Sequence, residues 1–275
     1  MEMCYGVIGG DRRQAELARL LRSDGKQVVE YGFPGASGSL EQALKSEVVL
    51  LPLPLCRTEG VLNCGGEPIF TRDLFACFDS NQKILAGQVK EAQHREAAEQ
   101  GIRVTDYFAR EELTIANAAI TAEAAIQVAM ENLDRALLGL PCLVLGFGRI
   151  GKLLSHRLHG MGALVTAAAR RSEDLAWIRA YGYRALKMNE LDGKISDFAL
   201  VYNTAPSLVL NDSLVKQLPG ACLCIDLASQ PGIDREAAGG RGLRLVWARS
   251  LPGRMAPRSA AEVIRDAVYH ILSEE

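Results

Sequence analysis

Cys142-Leu143-Val144-Leu145-Gly146-Phe147-Gly148-Arg149-Ile150-Gly151 is the stretch that decides how this chain folds. Four apolar residues run into a G-x-G-x-x-G pattern, and a helix-period segment from about Arg149 to Met161 follows. A buried strand, a tight turn and a helix in that order open a mononucleotide-binding βαβ unit. Each glycine has its own reason. Gly146 permits the sharp exit from the strand, Gly148 leaves room for a pyrophosphate to approach the backbone, and Gly151 lets the helix lie close on the strand. Free N–H groups at the helix start, with the helix dipole, favour an anion there.

Toward the carboxyl terminus, the next strand spans about Ala163 to Ala169 and ends in Arg170-Arg171-Ser172, with no acid before Glu173. A site for NAD usually places Asp or Glu here to bind the ribose 2′-hydroxyl, whereas guanidinium groups pair with a 2′-phosphate. Arg170, Arg171 and Ser172 therefore point to NADP. The competing reading is that these arginines only solvate a helix start. Two later segments fall where strands of such a sheet end: Asn203-Thr204-Ala205-Pro206, and Asp226 with Ala228 and Ser229. Ligands of parallel sheets bind at the carboxyl ends of strands, so these residues are expected to line the dinucleotide site with Arg149 and Ile150.

Toward the amino terminus, strands are expected at Cys4–Ile8, Gln27–Tyr31, Glu47–Leu51, Lys83–Gly87 and Ile102–Val104. Gly9-Gly10 turn the chain, and Asp11 caps a helix carrying Leu17, Leu20 and Leu21. This unit is flavodoxin-like in outline. Gly9-Gly10-Asp11 is no second dinucleotide site, because it lacks the glycine spacing and carries an acid where a phosphate would be repelled. A long amphipathic helix is expected from about Thr121 to Leu137, with Ala122, Ile126, Ala129, Met130, Leu133 and Leu137 on its apolar face. Gly139 and Pro141 are expected to stop it. A final helix with Val263, Ile264, Ala267, Val268 and Ile271 on one face is expected to return to the first domain. The reading is an α/β chain of two domains. Residues 1–120 with about 257–275 form a flavodoxin-like substrate domain, and 121–256 form a Rossmann dinucleotide-binding domain with its linking helix.

Composition excludes other classes. The 31 Lys and Arg against 33 Asp and Glu give a formal net charge of −2, without the basic excess of a nucleic-acid binder. The densest apolar run, Val48 to Cys56, is broken by Pro52 and Pro54, too short for a membrane span. Seven scattered cysteines and an amino terminus without signal-peptide layout fit a reducing cytoplasm. Cys222-Leu223-Cys224 reads as a buried strand and the four histidines lack a ligand set, so no metal is expected.

Taken in order along the chain, several segments resemble the A-subunit of dipicolinate synthase from spore-forming bacteria. They are Val7–Gln14, Asn117 with Thr121-Ala122-Glu123, Val144–Arg149, Ala169–Ser172, Asn203–Pro206, Asp226–Ser229, and Leu251-Pro252-Gly253 with Ala256-Pro257. Ile120, Ala124 and Gln230 depart from the family's usual residues, and Leu53 to Glu67 is not clearly family-like. The resemblance implies oxidation of dihydrodipicolinate to dipicolinate with NADP, in the mother-cell cytoplasm during sporulation, beside a flavoprotein-like B-subunit. A planar guanidinium suits a carboxylate, so Arg12 or Arg13, together with Arg254, are candidates to hold the dicarboxylate. Asn117, Thr121 and Glu123 are candidates for the same cleft, with Glu123 the acid/base; alternatively Thr121 simply caps the long helix and Glu123 favours its first turn. The Ala-rich helix also offers a surface for a homodimer. A D-2-hydroxyacid dehydrogenase is disfavoured, because Trp247 to Ala261 has no histidine. A non-catalytic NADP-sensing protein stays as the alternative from another class.

Overall fold

The first strand, β1 (Cys4–Ile8), is buried from Tyr5 onward, as expected of a parallel strand covered on both faces. The computed structural model describes residues 3–274. Gly9 and Gly10 turn the chain into α1 (Arg12–Ser23), whose N-cap is Asp11. There follow β2 (Gln27–Tyr31), α2 (Leu40–Leu44), β3 (Val48–Leu50), a small antiparallel hairpin of β4 (Cys56–Thr58) and β5 (Val61–Leu62), and α3 (Thr71–Phe75). The unit continues with β6 (Lys83–Ala86), α4 (Glu91–Glu99) and β7 (Val104–Asp106). Its parallel sheet has the order β2-β1-β3-β6-β7. That is the flavodoxin-like order, with its topological switch between β1 and β3.

The long helix α5 runs Glu111–Asn132 rather than Thr121–Leu137. Glu111 and Glu112 in its first turn complement the helix dipole and favour the earlier start. At its other end the Asn132 amide donates to the Val128 carbonyl at 2.8 Å, so the helix closes before Gly139 and Pro141 are reached. Thr121 is therefore a mid-helix residue and not a cap, and Met130, expected in the core, is 57% exposed. By length and composition α5 is apolar enough to cross a bilayer. Ala122, Ala125 and Ala129 are nevertheless fully buried in the protein.

The second sheet comprises β8 (Pro141–Leu145), β9 (Leu164–Ala169), β10 (Arg184–Lys187), β11 (Leu200–Asn203), β12 (Leu223–Asp226) and β13 (Arg244–Trp247). Helices α6 (Arg149–Gly160), α7 (Ser172–Ala180), α8 (Asp212–Val215) and α9 (Arg235–Gly240) lie between its strands in the chain. The order is β10-β9-β8-β11-β12-β13, all parallel, which is the Rossmann order with its switch between β8 and β11. Cys222 and Cys224 are buried at β12, and burial pushes the neighbouring Cys142 thiol on β8 up to about 12.

The segment Ser250–Pro257 contains the short helix α10 (Leu251–Met255), and α11 (Pro257–Glu274) follows. The chain divides into two compact units: Met1–Asn117 with Pro252–Glu275, and Ala118–Leu251. In the first, α11 buries Ala261, Ile264, Ala267, Val268 and Ile271 in one core with Leu17, Ala18 and Leu21 of α1. Tyr269 of α11 donates to Asp24 at the end of α1, at 2.9 Å.

Candidate functional site

At the carboxyl end of β8, Gly146 has φ +99°, a conformation L side chains rarely adopt. A Cβ at Gly151 would lie 2.1 Å from the Gly146 carbonyl oxygen, so only glycine lets α6 start this close to the turn. A Cβ at Gly148 would meet nothing within 4 Å, which leaves the backbone open to a ligand. Gly148 is the N-cap of α6, makes no side-chain capping bond, and the first turn carries no acid. These are the conditions for holding a pyrophosphate. Gly148 and Arg149 are exposed and Ile150 is half-buried.

The neighbouring loops are pinned to this turn. Thr204 bonds the Leu145 carbonyl through its backbone N–H at 2.8 Å and its hydroxyl at 3.0 Å. Asn203 and Asp226, expected to touch the cofactor, are instead 0% and 2% exposed. The Asn203 amide donates to Asp226 Oδ1 at 2.8 Å and to the Ala205 carbonyl at 3.0 Å. Asp226 also accepts from the backbone N–H of Ala228 at 3.1 Å and of Gly232 at 2.7 Å. A buried carboxylate needs such partners, and this one is consumed in shaping the loops. Ala228 is buried too; its carbonyl accepts from the Trp247 indole at 3.0 Å. Ser229 and Pro206 are exposed, and Ala205 is half-buried.

After β9, Arg170 is exposed and forms no ion pair among the described residues. Arg171 does not share that freedom. Its Nε and Nη2 bind both oxygens of Asp174, at 2.9 and 3.2 Å. Ser172 is exposed at the first position of α7. Asp174 carries no motif, and only its i,i+3 spacing from Arg171 could have suggested the pair.

In the first unit, the carboxyl end of β1 holds a second cluster. Arg13 is 5% exposed; its Nη2 donates to Asp11 Oδ2 at 2.8 Å and to the Leu53 carbonyl, beyond β3, at 2.5 Å. The pair therefore spans the β1–β3 switch, where ligands of such sheets bind. Burial works to raise the Asp11 carboxyl, but the hydrogen bonds and charge of Arg13 outweigh it and hold Asp11 below the ordinary range. A Cβ at Gly253 would come within 2.6 Å of Asp11 Oδ2 and 2.9 Å of Arg13 Nε. The segment bearing Gly253 thus lies directly against the pair. Arg12 and Arg254, next in the chain to Arg13 and Gly253, are exposed and without ion-pair partners among the described residues. Sequence reasoning found both arginines, but nothing in Gly253 announced that α10 abuts Asp11.

The α5 candidates separate. Asn117 and Thr121 are one turn apart, whereas Glu123 lies about 200° around the helix from Thr121. Glu123 accepts from Arg157 of α6 at 3.0 Å, and its side chain is 68% exposed. An exposed, ion-paired carboxylate on a different face is not placed as an acid/base beside Asn117 and Thr121.

Two parallel α/β units with these switch points are the architecture of two-domain Rossmann-type dehydrogenases. An L-alanine dehydrogenase structure shares the fold with a TM-score of 0.66 at 14% identity, over 98% of this chain and 89% of that one. Residues 5–108 match the family model of the dipicolinate synthase A-subunit N-terminal domain. The dipicolinate synthase A-subunit of Bacillus subtilis (strain 168) is 28% identical over 282 residues, covering 98% of this chain and 95% of that protein. The crystal structure of its counterpart from Bacillus halodurans superposes with a TM-score of 0.87 at 26% identity, over 99% and 98% of the two chains. Over nearly its whole length the chain is similar to dipicolinate synthase A-subunits.

Proposed function

We propose that this chain is an NADP-dependent oxidoreductase that converts dihydrodipicolinate to dipicolinate in the cytoplasm of the sporulating mother cell, working together with a B-subunit. The observation that carries the substrate class is the pair of exposed arginines, Arg12 and Arg254, each next in the chain to a residue of the cluster that buries Arg13 against Asp11 and Gly253. Two forked cations at one sheet edge suit two carboxylates. The turn Gly146–Gly151 at the N-terminus of α6 would hold the pyrophosphate, and Arg170 the 2′-phosphate. Held there, the dinucleotide would supply the hydride acceptor for oxidation of the substrate ring. The ring also releases a proton to solvent and becomes aromatic, so no strong base is required of the protein. What the residues supply is positioning. Asp11 and the Leu53 carbonyl fix Arg13 at the carboxyl end of β1, next in the chain to Arg12.

The test is NADPH formation on freshly generated dihydrodipicolinate, by the chain alone and with the B-subunit. Arg12→Ala and Arg254→Ala should each lower kcat/KM about ten- to a hundredfold, the loss expected for a charge-assisted hydrogen bond of about 1.5–3 kcal/mol. Tight NADPH binding with no turnover under either condition would instead favour a dinucleotide-sensing protein.

A further inference from the structure

The second unit carries an aromatic row of which only Phe147, inside the Gly146–Gly151 turn, belongs to the proposed dinucleotide site. Phe147 lies 6.4 Å from Tyr181, Tyr181 stacks on Tyr183 at 5.9 Å, and Trp177 stacks on Tyr181 at 5.7 Å. Phe147 and Tyr183 are almost buried, but Trp177 and Tyr181 are 54% and 49% exposed. Beside this row runs one stripe of α6. Lys152, His156 and His159, at i, i+4 and i+7, are all exposed. The stripe is tied to the row at both ends, because Lys152 Nζ sits 5.8 Å over the Phe147 ring and His159 packs edge-on against Tyr183 at 5.2 Å. Helix α6 contains no acid. The acids of α7, Glu173 and Asp174, are confined to its first turn, and Asp174 is bound to Arg171.

We infer that this face docks a partner polypeptide through an acidic segment that bears aromatic side chains. Half-exposed Trp and Tyr are the residue types that concentrate binding energy when covered. The adjoining Lys152 attracts a carboxylate of the partner and steers its approach, and the two imidazoles offer hydrogen bonds beside it. A second copy of this chain fits less well, because a two-fold contact through this face would bring Lys152 toward its own copy with no acid on α6 to answer it.

The inference is tested with the whole chain and defined probes by calorimetry: a glutamate–tyrosine copolymer, polyglutamate, and a lysine–tyrosine copolymer. The glutamate–tyrosine copolymer should bind, and the other two should bind at least tenfold more weakly. Trp177→Ala with Tyr181→Ala, and separately Lys152→Glu, should each weaken binding at least tenfold. Arg103→Glu, an exposed charge reversal in the other unit, should leave it unchanged. Circular dichroism confirms that each variant is folded, and Lys152→Glu serves if the aromatic double variant is not. Three outcomes overturn the inference: no binding of the glutamate–tyrosine copolymer, equal binding by the folded variants, or polyglutamate binding as tightly. Sedimentation showing a dimer that Trp177→Ala dissociates would assign the face to a second copy instead.

Discussion

At the scale of single residues, two arginines that are adjacent in sequence have different tasks. Arg171 is committed to Asp174, while Arg170 keeps its full charge available at the end of β9. Arg170→Ala should therefore weaken NADPH binding about ten- to a hundredfold and leave NADH binding unchanged, as read by fluorescence titration. Arg171→Ala should have the smaller effect. Asp11 makes a prediction about pH. Its carboxyl is depressed in the folded protein, so the stability it contributes is complete above its unfolded value of about 3.9 and is lost as pH falls through the lower folded value. Thermal midpoints measured below about pH 4 should fall with acidification, and the Asp11→Asn variant should show a shallower fall.

Among elements, the junction of β8 and α6 carries the sharpest steric demand. Gly151→Ala places a methyl 2.1 Å from the Gly146 carbonyl, so α6 must shift its N-terminus to accept it. The expected result is a loss of about 1–3 kcal/mol of stability in denaturant titration, together with weaker binding of both NADPH and NADH. That pattern differs from Arg170→Ala, which should discriminate between the two. The type of element at each stage was legible from apolar period and glycine position, as β1, β2 and α6 illustrate. The limits of α5 were not, because Ala and Ile continue across its whole length without a break in pattern. Acidic residues at its start and one side-chain bond from Asn132 set those limits.

For the molecule as a whole, ligand binding should be felt unequally by the two units. NADPH at a hundredfold excess over its Kd should stabilise the folded chain by about 2.7 kcal/mol. Hydrogen exchange should place the strongest backbone protection at residues 146–152, where α6 begins, with dipicolinate instead protecting residues 9–13 and 252–255. If both ligands protected only the second unit, the arginine edge of the first would lose its proposed role.

Local pattern in the sequence determined that strands alternate with helices, that a dinucleotide-type turn follows Leu145, and that arginines gather at Arg12, Arg170 and Arg254. Period and glycine spacing are properties of neighbouring residues, so a linear reading reaches them. Only the tertiary structure decided that Asn203 and Asp226 are buried supports, that Glu123 answers to Arg157, and that Gly253 abuts Asp11. Those assignments depend on which groups lose water and find partners far along the chain. Burial and pairing of that kind arise only when distant segments pack together.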